Sequence, residues 1–179
     1  MSPIEKRERL FKRSRPFIRP LSIYDGQRYH KDIGILWAAH QKKSFYMIPA
    51  SANQQEFAKA IEGMTELAEL FMAEDDNTGY KGSGPVAFIM SQHDGWRVEP
   101  HVEFFPWATN RNKLRVTVAF LQYLRYSRKI GVCIIRALEE SLALFRKCET
   151  YGVLHYVGKV HGGDPRGDEY LFSVKGKKK

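Results

Sequence analysis

Residues 85–129 read PVAFIMSQHDGWRVEPHVEFFPWATNRNKLRVTVAFLQYLRYSRK, and their pattern decides the fold. Pro85–Gln92 is apolar and strand-compatible, His93-Asp94-Gly95-Trp96 is turn chemistry, and Val98–Phe105 supplies a returning strand. Two such runs around an Asp-Gly predict an antiparallel hairpin. The period then changes. Over Asn110–Lys129 the residues Leu114, Val118, Leu121 and Leu124 recur at helical spacing, leaving Arg111, Arg115, Arg125 and Arg128 for the outer face.

Toward the C-terminus, Gly131–Ile135 reads as a short buried strand. Leu138, Leu142 and Phe145 mark a helix that Tyr151-Gly152 stops. Val153–Val160 and Glu169–Val174 form a last strand pair around the loop 162–167. Toward the N-terminus, Asn53 with Glu56 three residues on predicts a capping box opening a helix whose apolar stripe is Phe57, Ile61, Met64, Ala68 and Phe71. Asp25 caps an earlier helix with Tyr29, Ile33, Leu36, Trp37 and His40 inward, and the Pro-punctuated run Arg15–Leu21 suits an edge strand. Residues 75–84 are rich in turn formers. The expected order is β-α-α-β-β-α-β-α-β-β, an α/β (α+β) fold with a mixed central sheet flanked by four helices, in one domain over 16–174.

The chain has 179 residues, 43% of them apolar, with 29 basic and 20 acidic side chains and a net charge of +9. That composition fits one globular domain and excludes collagen-like, coiled-coil and disordered classes. There is no run of about 18 apolar residues and no apolar segment behind the basic start, so neither a membrane span nor a secretory signal is expected, and the reading is cytoplasmic. Cys133 and Cys148 lack metal-ligand spacing and read as two small core residues; no metal site is expected.

The charge is concentrated at the ends. Residues 1–15 read as a flexible basic arm with Lys6, Arg7, Arg9, Lys12, Arg13 and Arg15, and 175–179 as a basic tail with Lys175, Lys177, Lys178 and Lys179. Such ends contact nucleic acid or acidic partner surfaces, or merely solubilise; no base-reading motif accompanies them. Within the body, 108–147 is strongly basic. Glu99, His101 and Glu103 alternate along the second hairpin strand, either as the polar face of a half-buried strand or as candidate general bases.

The element order, with a helix after the central hairpin and strand-loop-strand after the last helix, resembles the GNAT superfamily of N-acetyltransferases. Leu144–Val153 is similar to that family's "Tyr-x-Lys-x-Gly-Phe" stretch, and Asp168-Glu169-Tyr170-Leu171-Phe172 to its closing strand. Among such chains it is most similar to the small GNAT-like proteins of tailed bacteriophages, including internal virion proteins. The resemblance implies a further strand before the hairpin, for which only 75–84 is left, so that strand is expected to be short or missing. It also implies a glycine-rich acetyl-CoA loop at the place where this chain has Ala108-Thr109-Asn110-Arg111-Asn112-Lys113-Leu114-Arg115. With no glycine there, Arg111, Lys113 and Arg115 are the side chains left to hold phosphate, with Asn112 and Leu114 completing the loop. Where the family often places a tyrosine as acid for the leaving thiolate, this chain has Phe145.

These departures favour a non-catalytic GNAT-like accessory or structural protein of a phage particle, located in the host cytoplasm or virion. Its partners would be virion or assembly subunits, with DNA reached through the basic ends and no cofactor expected. Two other functions stay open. One is an acyl-CoA-dependent N-acetyltransferase using acetyl-CoA, with Glu103 or His101 as base; the other is a non-specific nucleic-acid-binding protein.

Overall fold

The structure, a computed structural model, describes residues 1–45, 47–78, 82–95, 97–127 and 132–174. Its elements are α1 (Pro3–Leu10), β1 (Phe17–Pro20), α2 (Gly26–Lys42), α3 (Gln54–Leu67), β2 (Ala68–Thr78), β3 (Gly82–Asp94), β4 (Arg97–Phe104), α4 (Asn110–Ser127), β5 (Val132–Ala137), α5 (Glu139–Thr150), β6 (Leu154–Asp164) and β7 (Gly167–Val174). The strands form one seven-stranded sheet in the order β1-β2-β3-β4-β5-β7-β6. All neighbours are antiparallel except β4 and β5, which are parallel and register only at Arg97 with Val132 and Val98 with Cys133. Beyond those two pairs the strands diverge.

The predicted mixed sheet is therefore present, with two corrections. The strand expected to be short or missing is β2, eleven residues long and paired on both edges. It takes Ala68 and Phe71 out of the predicted helix, which ends at Leu67. Leu70 and Met72 of this strand are buried against α2 and α3, while Phe71 and Ala73 are buried in the other layer with α4. A strand buried on both faces shows no period-2 alternation, and Ala-Glu-Leu-Phe-Met-Ala is made largely of good helix formers, so local pattern favoured the wrong element.

The second correction concerns residues 1–15, expected as a flexible arm. Ser2 and Glu5 form a reciprocal capping box that opens α1, and Pro3 occupies the first turn. Leu10 and Phe11 then pack on the core layer that holds α4. Arg7 donates to the Tyr151 carbonyl, and Pro3 lies against Gly152, whose φ of +68° ends α5 where a side chain would be strained.

Elsewhere the expected elements hold to within a few residues. The Asn53–Glu56 capping box opens α3, and Asp25 caps α2. Gly95 turns the hairpin with φ +56°, while Trp96 and Arg128 lie outside the described residues. Cys133 and Cys148 are free and buried. Trp37 and Trp107 pack against the core under α2 and α3. Among the described residues no helix is long and apolar enough to cross a membrane.

Candidate active site

The divergence of β4 and β5 opens a cleft of about 1010 Å³, walled by β4, the start of α4, the end of β5 and one side of α5. Sequence explains why β4 tolerates an open edge. Pro100 lies in its middle and lacks an N–H, which suits a strand unpaired on one side better than one laddered on both. An ion-pair chain straps the strands where they begin to separate. Arg97 Nη2 is 2.9 Å from Glu99 Oε2, Arg136 Nε is 2.8 Å from Glu99 Oε1, and Arg136 Nη1 is 3.4 Å from Glu169 Oε2. Glu99 is thus a bridge between strands, whereas His101 and Glu103 line the cleft.

The loop from β4 into α4 is rigid without glycine. Phe105 is buried, its N–H donates to the Val86 carbonyl at 2.9 Å, and Trp107 Nε1 donates to the Pro85 carbonyl at 2.7 Å. Thr109 and Asn112 cap α4 reciprocally: the Asn112 N–H donates to Thr109 Oγ1 at 3.1 Å and the Thr109 N–H donates to Asn112 Oδ1 at 3.1 Å. Helix geometry then leaves the N–H groups of Asn110 and Arg111 without intrahelical acceptors at the positive end of the helix dipole. Arg111 and Lys113 line the cleft beside them, with Leu114 below.

Asn112 and Arg115, read from sequence as phosphate-loop residues, face the opposite way. Asn112 is 1% exposed and its Nδ2 donates to Asp75 Oδ2 at 3.0 Å and to the Asp76 carbonyl at 2.8 Å. Arg115, 3% exposed, donates to both oxygens of Asp75 at 2.9 Å, to the Leu10 carbonyl at 2.7 Å and to the Ser14 carbonyl at 2.9 Å. They fix the cationic corner of the cleft to β2 and to the N-terminal segment. Their partner Asp75 comes from a distant strand, so no helical periodicity could assign them inward.

On the opposite wall Phe145 lines the cleft and packs on Phe172, with ring centroids 5.7 Å apart. Ser141, one turn earlier on α5, brings a hydroxyl to the same wall. Sequence reasoning missed it, because a lone helical serine carries no signal. Lys147 of α5 adds a cation, and Glu140 with Glu103 supplies carboxylates.

The remaining expected contact residues lie outside the cleft. Arg9, Lys12, Arg13 and Arg15 are exposed, Lys6 and Arg7 half-buried. Lys175, Lys177, Lys178 and Lys179 lie outside the described residues. Among the described residues no group of His, Cys, Asp and Glu could hold a metal ion.

The seven-stranded sheet with its helices superposes on those of solved acetyltransferases over about nine-tenths of the chain. The fold is the GNAT fold. A chimera of the Vibrio cholerae spermidine N-acetyltransferase SpeG and hSSAT superposes with a TM-score of 0.66 at 10% identity, over 90% of this chain and 95% of that one. The Vibrio cholerae spermidine N-acetyltransferase solved with CoA and spermine gives 0.64 at 10% identity, over 89% and 95%. An acetyltransferase of Sphaerobacter thermophilus, described as putative, gives 0.55 at 12% identity, over 89% and 94%. At these identities the likeness is one of fold. No protein-family model matches the chain, and no curated protein matches it in sequence.

Proposed function

We propose that this protein is an acyl-coenzyme A-dependent N-acetyltransferase acting on a primary amine. The observation that carries the reading is the cleft between β4 and β5, which has a cationic, N–H-bearing corner at one end and a carboxylate on its wall. CoA fits these residues. Its pyrophosphate suits the N–H groups of Asn110 and Arg111 together with the Arg111 and Lys113 side chains. Its two pantetheine amides suit the unpaired edge of β4 beyond Val98. When bound, acetyl-CoA supplies an activated acyl thioester.

The chain's own residues do the rest. Glu103 accepts a proton from the acceptor ammonium, delivering the neutral amine that can attack, and His101 flanks it on the strand. Arg111 and Lys113 replace the glycine cradle with side-chain charge, so binding depends on guanidinium and ammonium contacts rather than on backbone alone. Phe145 gives α5 no phenolic donor, and among its described cleft residues Ser141 carries the one hydroxyl that can donate a hydrogen bond. Spermidine, the acceptor named for two of the similar structures, and other primary amines are the acceptors to try first.

Calorimetric titration with acetyl-CoA, followed by thiol release in the presence of amines, tests the proposal. Binding should survive moderate salt and weaken at least about tenfold in Arg111→Gln/Lys113→Gln. Glu103→Gln should lower kcat by roughly 10²–10⁴-fold while leaving acetyl-CoA affinity in place. Absence of binding at low salt sinks the proposal. The glycine-free loop and Phe145 favour a second reading, a non-catalytic accessory protein, which predicts no thiol release with any amine.

A further inference from the structure

Two long runs of this chain carry no acidic residue: Arg9–Tyr24 and Phe104–Leu138. The fold lays them side by side. Arg115 of α4 donates to the carbonyls of Leu10 and Ser14, and Arg15 Nη2 donates to Gln122 Oε1 at 2.9 Å. Along α4, Arg115, Gln122 and Arg125 stand at i, i+7 and i+10, one stripe about 15 Å long. Arg115, at the N-terminal end of that stripe, is buried on Asp75, and the segment that accepts its hydrogen bonds at Leu10 and Ser14 carries the exposed Lys12 and Arg13 between them. Arg9, Lys12 and Arg13 have no carboxylate partner among the described residues. The result is a group of exposed cations, Arg9, Lys12, Arg13 and Arg15, on a segment hydrogen-bonded to α4, where Arg15 is tied to Gln122 one turn from Arg125.

We propose that this ridge binds the phosphate backbone of duplex nucleic acid without reading its sequence. Like charge along a helix and the segment docked on it matches a linear polyanion of regular spacing, and about 15 Å of helix covers roughly four base pairs. Single strands need free aromatic faces for base stacking. Phe11, the ring among these cations, is half-buried beneath Arg15 at 5.3 Å and Arg115 at 5.8 Å, and Arg125 lies over Tyr126 at 5.4 Å. Arg9, Lys12, Arg13 and Arg15 are not cleft residues, so this surface stands apart from the acetyl-CoA reading.

The test is fluorescence anisotropy of a labelled 20-base-pair duplex with the full chain between 50 and 200 mM NaCl. Five cations at about 0.9 each predict a log–log salt slope of roughly −4.5. The variant Arg9→Gln/Lys12→Gln/Arg13→Gln, changed only at exposed positions, should lose about 2.7 of that slope while keeping its melting temperature and its acetyl-CoA titration. Lack of duplex binding at 50 mM NaCl overturns the proposal. So does an unchanged slope in the variant, which would move the contact to Lys175–Lys179. Equal affinity for labelled poly-glutamate would also overturn it, in favour of an acidic protein partner.

Discussion

Arg115 ties three parts of the chain together, since its guanidinium reaches Asp75 on β2 and the carbonyls of Leu10 and Ser14 in the N-terminal segment. A buried cation with one carboxylate partner is stable only while that partner stays charged. Asp75→Asn should therefore lower stability by about 3 kcal/mol in urea unfolding, and loosen the first turn of α4 that Asn112 anchors to the same carboxylate. The cysteines behave in the opposite way. Burial, joined for Cys133 by the charge of Glu99, pushes the thiols of Cys133 and Cys148 up to about 12 from 9.0. Neither should react with an aromatic disulfide reagent at pH 8 until the protein unfolds. Because the folded state holds these protons more tightly, their contribution to stability is intact below pH 9 and falls away between pH 9 and about 12. At this scale Arg111, Lys113, His101 and Glu103 were legible as a charged loop and a polar strand face, and Cys133 and Cys148 as core. Asn112 and Arg115 were not, because what decides their direction is Asp75, 37 and 40 positions away.

At the scale of elements, α1 and the segment after it behave as part of the domain. They supply two carbonyl acceptors to Arg115 and the apolar contacts of Leu10 and Phe11. Removing residues 1–15 should cost about 2–4 kcal/mol, read as a lower urea midpoint, and raise hydrogen exchange along α4. A disordered tail would leave both unchanged. The capping box of α3, the turn at Gly95 and the stop at Gly152 were readable because each is a local solution to unpaired backbone groups or to a positive φ. The boundary between α3 and β2 was not, since Ala68–Ala73 is helix-compatible in isolation and becomes a strand only between β1 and β3.

For the whole molecule, the decisive feature is a sheet that separates in the middle. β4 and β5 share two register pairs and then part, and the gap becomes the cleft. This architecture makes the acetyl-CoA titration the measurement on which the enzymatic reading depends. The sequence by itself determined the mixed α/β class, nearly the whole order of elements and the concentration of positive charge, because periodicity, capping and turn chemistry act over a few residues. Only the tertiary structure decided that β2 is a full interior strand, that Arg115 is an internal strut and that the basic N-terminus is docked. Each of those outcomes depends on burial and on a partner far along the chain, and neither is encoded in local spacing.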